Sequence, residues 1–397
     1  MAAVRNSSKR SDFVLFLSGA VSAIFLFFFI FYVIPTDRSF TALVHVNTNT
    51  ANFYSDPNLT YTIATPLHHW DSNRRLWIEN HKPQTSTVSV KVLLVSASRP
   101  TPCSNPIGDH LLLRLFKNKQ DYSRIHGFSF FYNTALFHPE MFGYWNKIPT
   151  VRSAMVAHPE VDWIWWIDSD AAITDMDFVI PFHKYKNHNM VVHGWPDLVY
   201  NRKSWTGLNA GVFLMRNCQW SLDLMDVWAQ MGPQTPHYVE WGKKQKATVI
   251  DKLYPEADDQ TGLVYLMSKY KEKWGDKIYL EYEYRLSGYW LEIIGTLDNI
   301  TKQEEADLGR KPETAKQRYA EVDKLHNANN ASRRPFVTHF TGCQPCSGKH
   351  NINYSDDQCW DGMRKALDFA DDQVLHSYGF RHVGSGGTVA ATPSGRR

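Results

Sequence analysis

The sequence predicts an α/β fold with a Rossmann-like layer of parallel strands. Three observations support this prediction: short apolar runs that suit buried strands, amphipathic segments of helical period, and the alternation of the two along the chain. The 397 residues are enough for one large core or two small ones. A hydrophobic fraction of 43% and a charged fraction of 21% are ordinary for a globular chain and argue against disorder as a class.

The predicted layer comes from the middle of the chain. Its elements are strands at 90–96, 128–133 and 161–167 and helices at 108–127 and 147–158. Strand, helix, strand, helix, strand in this order builds a right-handed parallel layer.

Further elements are predicted downstream, namely strands at 189–193 and 211–215 and helices at 219–230 and 261–270. Within the helix at 219–230, Trp220, Leu224 and Trp228 recur at four-residue spacing, which predicts a stripe packed into the core. The aromatic fraction of 14% is high. It has two interpretations, which are core filling and stacking on sugar faces.

The amino-terminal segment 13–34 is apolar and carries no charged residue. As a helix rising ~1.5 Å per residue it would span the ~30 Å hydrocarbon core of a bilayer. Arg5, Lys9 and Arg10 precede it, so the positive-inside rule places residues 1–12 in the cytosol. The alternative is a cleaved signal peptide, but that would have a shorter apolar region ending in small residues.

These boundaries predict a type II membrane protein with its body in the lumen. Residues 35–85 are rich in Pro, Asn, Thr and Ser and indicate a stem. The body is expected at 86–385, with a charged insertion at 301–334 and a flexible tail at 386–397. The net charge of +3 is too small to indicate a nucleic-acid partner.

Glycosylation sequons and cysteines agree with a lumenal body. The Asn-x-Ser/Thr sequons predicted to carry glycans begin at Asn58, Asn299, Asn330 and Asn353. The chain also has five cysteines, including a Cys-x-x-Cys pair and a further cysteine downstream: Cys103, Cys218, Cys343, Cys346 and Cys359. Disulfides are favoured over a zinc site because no second ligand pair lies at finger-like spacing. The odd count leaves at least one thiol free or paired between chains.

A metal site is predicted where the strand at 161–167 ends. Asp168 and Asp170 follow that strand directly, and ligands in open α/β sheets bind beyond the carboxyl ends of strands. Two such carboxylates suit a hard cation shared with diphosphate oxygens. A second Asp-x-Asp copy, Asp175 to Asp177, does not follow a buried strand in this way and is interpreted as a surface turn.

Two other segments are candidates for the site. Asp258, Asp259 and Gln260 precede the helix at 261–270, where Asp258 is either an N-cap or a group that faces sugar hydroxyls. His339 leaves a short Val/Thr strand beside the Cys-x-x-Cys loop. It is either a structural histidine or a metal ligand.

The chain resembles glycosyltransferase family 34. The resemblance rests on eight ordered blocks between residues 91 and 382, which are Asn105-Pro-Ile-Gly-Asp-His110, Trp165-Trp-Ile-Asp-Ser-Asp-Ala171, Val192-His-Gly-Trp195, Gly207-Leu-Asn-Ala-Gly211, Arg216-Asn-Cys-Gln-Trp220, Met231-Gly-Pro233, Glu256-Ala-Asp-Asp-Gln260 and Thr338-His-Phe-Thr-Gly-Cys-Gln-Pro-Cys346. It implies a GT-A fold, a nucleotide-sugar donor, Mn²⁺, Golgi residence and retention of anomeric configuration.

The resemblance also implies roles for residues that match the family motifs. Asp168, Asp170 and His339 would be metal ligands, and Asp258, Asp259 and Gln260 would be the catalytic group at the reaction centre. Donor binding is expected from Ser96, Ser98, Ser169, His193, Asn209, Gly342 and Lys349. Gln344 stands where the family's xylosyltransferases have Lys, so Gln344 or Lys349 would have to contact the donor phosphates.

Within the family the chain looks most like the galactomannan galactosyltransferases, through its charged insertion and the segment 236–244. The expected reaction is transfer of galactose from UDP-galactose to O6 of mannose in a β-1,4-linked polysaccharide, at the Golgi membrane. Homo- or hetero-oligomers with other cell-wall synthases are allowed. The alternatives are a xyloglucan xylosyltransferase, a non-catalytic glycan-binding or scaffold protein, and a glycosidase, which the metal constellation disfavours.

Overall fold

The computed structural model describes residues 53–57, 59–81, 90–308, 334–376, 378, 380–383 and 388–391. Contacts divide the chain into two units, Met1–Ser55 and Asp56–Arg397. The first unit is described only over Phe53–Ser55, a single 3₁₀ turn. Every element below belongs to the second unit.

No helix within the described ranges is both long and apolar enough to cross a membrane. The predicted transmembrane segment 13–34 lies outside those ranges, as do Asn58, Asn330 and residues 309–333 of the charged insertion. Those predictions therefore stay predictions.

The strands are β1 (Val92–Ala97), β2 (Ser129–Asn133), β3 (Trp163–Ile167), β4 (Ala171–Ile173), β5 (Met190–Gly194), β6 (Leu208–Arg216), β7 (Ile278–Glu281), β8 (Gly288–Tyr289), β9 (Val337–His339), β10 (Phe380–Val383) and β11 (Thr388–Ala391).

The α-helices are α1 (Trp70–Asn80), α2 (Gly108–His126), α3 (Lys147–Ala157), α4 (Gln219–Ala229), α5 (Tyr238–Thr248), α6 (Asp259–Lys269), α7 (Trp290–Ile293), α8 (Leu297–Leu308) and α9 (Asp356–His376). The helices and strands predicted from the sequence all form, with ends that differ by at most three residues.

The main sheet has six strands in the order β2-β1-β3-β6-β5-β7. β1 pairs in parallel with β2 and with β3, which confirms the predicted parallel layer. β6 is antiparallel to both β3 and β5, so the complete sheet is mixed. The antiparallel return brings the start of β6 beside the end of β3, where the sequence predicts the metal site.

A second, three-stranded sheet has the order β4-β9-β8. β4 follows the metal-site triplet directly, and β9 comes from the far end of the chain. The two pair in antiparallel fashion with Ala171 opposite His339. Distant parts of the sequence therefore meet just beyond the end of β3.

Aromatic side chains fill much of the core between these layers. Tyr122, Trp165, Phe178 and Phe336 are fully buried or nearly so and pack against one another. In the predicted stripe on α4, Leu224 and Trp228 are buried, whereas Trp220 is half-buried. Core filling therefore accounts for part of the aromatic content, as predicted.

Two disulfides cross-link the carboxyl-terminal part of the fold. Cys103 pairs with Cys346, and Cys343 pairs with Cys359. Cys218 is free. The prediction that this cluster forms disulfides is confirmed, and Cys218 is the cysteine that the odd count leaves without a disulfide partner in the chain.

Candidate active site

Three side chains converge just beyond the end of β3. Asp168, Asp170 and His339 each offer one ligand atom, and these atoms lie within 4.8 Å of one another. His339 Nε2 is 3.3 Å from Asp170 Oδ1 and 3.9 Å from Asp168 Oδ2. Carboxylate oxygens with an imidazole nitrogen form a donor set that fits a divalent cation. The structure thus brings the three predicted ligands together.

Backbone pairing holds the three ligands in place. Asp168 N donates to Gly211 O at 2.8 Å, which ties the end of β3 to β6. Phe340 N donates to Asp170 O at 3.1 Å and extends the pairing of β4 with β9. His339 therefore reaches the carboxylates through strand pairing and not through a flexible loop.

The ring of His339 is oriented by polar groups on its other side. Its Nδ1 is 3.1 Å from Asn209 Oδ1 and 3.0 Å from Ser287 Oγ. Asn209 Oδ1 can only accept, so Nδ1 carries the hydrogen and the Nε2 lone pair faces the carboxylates. Gly211 allows this approach, because a Cβ there would lie 2.2 Å from His339 Cε1.

The two oxygens of Asp168 have different surroundings. Oδ1 accepts from Trp166 Nε1 at 2.6 Å and lies 3.6 Å from Lys147 Nζ. Oδ2 faces His339. One oxygen is thus held by the protein, and the other remains available to a cation.

The segment 258–260 begins α6 close to this cluster. Asp258 caps the helix, with Oδ1 accepting from Thr261 N at 2.6 Å and Oδ2 lying 2.5 Å from Lys252 Nζ. The N-cap interpretation of Asp258 is therefore confirmed. Gln260 accepts from Ala210 N at 3.2 Å and donates to Trp205 O at 2.8 Å.

Asp259 is buried and paired with Lys147, whose Nζ lies 2.6 Å from Asp259 Oδ2. Burial raises the pKa of Asp259 to about 6, although Lys147 opposes the shift. Burial would lower the pKa of Lys147, but Asp168 and Asp259 outweigh it and raise that pKa above its usual value. The sequence prediction missed Lys147. Its one signal is a lysine at the start of an otherwise largely apolar helix.

A second buried lysine, Lys119, lies behind the metal cluster. Its Nζ donates to Ala171 O at 2.7 Å. Burial lowers the pKa of Lys119 to about 7, against the opposing effects of Asp170 and Asp168. Its signal in the sequence is its spacing, since Lys119 lies four residues after Leu115 and three before Tyr122 on the buried stripe of α2.

The surface-turn interpretation of the second Asp-x-Asp copy is wrong. Asp175 and Met176 are buried, and Asp175 lies 3.8 Å from Arg334 Nη1. Asp177 is 31% exposed and pairs with the same guanidinium at 3.0 Å. The triplet is partly buried because it follows β4 closely and packs against Phe336, the residue that precedes β9. This copy contributes no ligand to the metal cluster.

A cavity of about 1090 Å³ opens beside the metal cluster and reaches it at His339. Exposed aromatic rings line its two sides, among them Trp195, Tyr254, Tyr282 and Tyr289. The high aromatic content therefore supplies both core packing and an open aromatic surface.

Only some of the predicted donor-binding residues line the cavity. His193, Asn209, Gly342 and Lys349 line it, whereas Ser96, Ser98 and Ser169 do not. Gln260 also lines it, but Asp258 and Asp259 do not.

His193 lines the cavity and is largely buried. Burial lowers the pKa of His193 to about 4, so the ring is neutral. Its buried Nδ1 has no hydrogen-bond partner within the described part of the chain. Because this atom is enclosed by protein, His193 lines the cavity through other atoms of the residue.

The loop after β9 forms one end of the cavity with Gly342, Gln344 and Lys349. Gly342 adopts φ +83°, and a Cβ there would lie 2.9 Å from Tyr354 Cε2. Both disulfides end in or beside this loop. The loop therefore has a fixed shape that presents an exposed lysine to the cavity.

Comparison with known proteins finds a family model, several relatives and a solved structure that are similar to this chain. A model of the galactosyl transferase GMA12/MNN10 family matches residues 88–350. Galactomannan galactosyltransferase 1 of Cyamopsis tetragonoloba is 53% identical over 336 residues, covering 83% of this chain and 77% of that protein. Probable xyloglucan 6-xylosyltransferase 3 of Arabidopsis thaliana is 45% identical over 331 residues, covering 83% and 67%. A solved glycosyltransferase involved in glycosylation of the PBCV-1 major capsid is 11% identical with a TM-score of 0.40, covering 69% of this chain and 98% of that one.

Proposed function

This chain belongs to the galactosyl transferase GMA12/MNN10 family of glycosyltransferases, and we propose that it transfers galactose from UDP-galactose to O6 of mannose in β-1,4-mannan or glucomannan. The observation that carries the proposal is the Asp168–Asp170–His339 cluster beside a large cavity with aromatic walls. The choice of galactose and mannan is supported by the 53% identity to a galactomannan galactosyltransferase.

The proposed cation is Mn²⁺, held by Asp168, Asp170 and His339. When bound, it would stabilise the charge that develops on the departing diphosphate. Lys349 and the neutral ring of His193 line the same cavity and are assigned to the donor. We assign the GT-A fold on the same ground, which is a metal-binding triplet at the end of β3 in a mixed α/β sheet.

The exposed aromatic rings of the cavity are assigned to the acceptor. Flat rings such as those of Trp195, Tyr254 and Tyr282 stack on the apolar faces of pyranose sugars. A volume of about 1090 Å³ exceeds the upper end of ordinary small-molecule pockets, ~1,000 Å³. The cavity therefore has room for the donor and several sugars of a chain.

Retention of configuration is proposed to occur by same-face attack. A covalent glycosyl intermediate requires a carboxylate free to act as a nucleophile. Asp259 is buried and ion-paired with Lys147, and Asp258 is occupied by Thr261 and Lys252. These contacts favour a donor phosphate oxygen as the base that accepts the acceptor's hydroxyl proton.

The test offers the full-length protein in detergent three donors, UDP-galactose, UDP-xylose and UDP-glucose, each with β-1,4-mannan and β-1,4-glucan oligomers. We expect galactose transfer to mannan to have the highest kcat/KM, with Mn²⁺ required. Faster xylose transfer to glucan would instead establish the xyloglucan xylosyltransferase alternative. Glycan binding without transfer from any donor would indicate a binding protein.

We further propose that the protein is a single-pass type II Golgi membrane protein with residues 13–34 as its anchor. Two sequons, at Asn299 and Asn353, are exposed on the described surface. Peptide-N-glycosidase should therefore increase the electrophoretic mobility of the membrane-derived protein, and Asn353→Gln should remove one step of that shift. Asn6, which also begins a sequon, should stay unmodified because it lies on the cytosolic side. An unchanged mobility would contradict the lumenal orientation.

A further inference from the structure

Lys147 lies between the metal cluster and the segment 258–260. Its Nζ is 2.6 Å from Asp259 Oδ2, 3.6 Å from Asp168 Oδ1 and 2.9 Å from Ala210 O. These acceptors come from the start of α6, the residue after β3 and the start of β6. One ammonium group therefore contacts the three segments that build the site.

A buried position at the start of a helix is unfavourable for a lysine unless its charge is paired with carboxylates. Lys147 is the first residue of α3, where the helix dipole disfavours a cation, and its side chain is only 2% exposed. The residues that follow it on the helix, such as Ile148 and Val151, are buried and apolar. Packing alone would be satisfied by an unbranched apolar side chain such as Met.

The contacts of Asp168 indicate what the charge does. Trp166 and Lys147 both approach Oδ1, and Oδ2 is left facing His339. The same ammonium fixes Asp259 next to Gln260, which lines the cavity.

We propose that Lys147 is a positioning residue that couples the metal cluster to the reaction-centre segment 258–260. It holds Asp259, and with it Gln260, beside the metal cluster, whereas Trp166 makes the closer contact that orients Asp168. The proposal rests on the proposed function, because it concerns the same site.

The test is a double-mutant cycle with Lys147→Met and Asp259→Asn. Each single variant leaves one buried charge without its partner, so each should lower kcat by about 10- to 100-fold, as changes to groups that support a metal site do. Because both act through one contact, adding Lys147→Met to Asp259→Asn should lower kcat by no more than about twofold further. Independent losses that multiply would overturn the proposal.

Direct Mn²⁺ binding, measured by calorimetry without substrate, separates positioning from general damage. Lys147→Met should bind Mn²⁺ at least as tightly as the wild type, because a positive charge near Asp168 has been removed. A lowered kcat with retained Mn²⁺ affinity supports the positioning role. Parallel loss of Mn²⁺ affinity and of melting temperature would show that Lys147 only supports the fold.

Lys119→Met is the matched control. Lys119 is also a buried lysine near the metal cluster, but its Nζ donates to the backbone carbonyls of Ala171 and Leu115 and not to Asp259. Its effect on kcat should therefore multiply with that of Asp259→Asn. An equally strong coupling of Lys119 to Asp259 would overturn a specific role for Lys147. If wild-type protein transfers no sugar, the proposed function fails, whereas multiplicative losses in an active enzyme refute only the role of Lys147.

Discussion

Asp170→Asn is expected to lower sugar transfer by roughly 10²- to 10³-fold, the size of effect seen when one preorganised electrostatic contact at a reaction centre is lost. The substitution removes a negative charge and a hard oxygen ligand from the cluster with Asp168 and His339. Asp170 is partly exposed, so the melting temperature in chelator should change little. Initial rates at saturating Mn²⁺ and donor give the measurement.

The matched control is Asp177→Asn in the second Asp-x-Asp triplet. Asp177 pairs with Arg334 and is 31% exposed, so its loss should cost at most about 1 kcal/mol of stability. Transfer should remain within a few-fold of wild type. Comparable losses of activity in the two variants would contradict the assignment of the metal site to the first triplet.

His339→Ala should raise the Mn²⁺ concentration required for half-maximal transfer by more than tenfold. In the proposed site the imidazole is the third ligand, and Asn209 and Ser287 hold its ring with Nε2 toward the carboxylates. Excess Mn²⁺ should partly restore turnover, because Asp168 and Asp170 still converge on the site. A Mn²⁺ titration of the transfer rate for both proteins measures the effect.

His126→Ala serves as the comparison with a structural histidine. His126 Nε2 lies 2.9 Å from Met176 O, and the ring stacks on Tyr122 in the core. This variant should melt at a lower temperature and keep the wild-type Mn²⁺ midpoint. If His339→Ala behaved in the same way, the metal ligands would be reduced to Asp168 and Asp170.

The parallel layer and the position of the two clustered carboxylates were predictable because their signals are local. The strand at Trp163–Ile167 is a buried apolar run, and the residues after such a strand lie at the edge where ligands bind. Asp168 and Asp170 therefore follow from their position in the sequence. The metal role of His339 came from the family resemblance, and its geometry depends on the pairing of β4 with β9.

The supporting residues were not predictable because they act through long-range contacts. Lys147 meets Asp259 only when α3 and α6 pack beside β6, and Ser287 meets His339 through the pairing of β8 with β9. The inward turn of Asp175 depends likewise on Arg334. Neither periodicity nor residue type predicts these contacts, since lysines and serines at comparable positions are usually exposed.

The cross-link between Cys103 and Cys346 has a consequence for how the chain is made. The two cysteines are 243 residues apart, so at a synthesis rate of about 5–20 residues per second Cys103 waits roughly 12–50 s for its partner to be made. During that interval Cys218, which is free in the finished fold, is the first cysteine with which Cys103 can form a wrong pair. Any such pair has to be resolved by thiol–disulfide exchange before the native cross-link can form. The loop that closes the cavity is consequently set only after almost the whole chain has emerged from the ribosome.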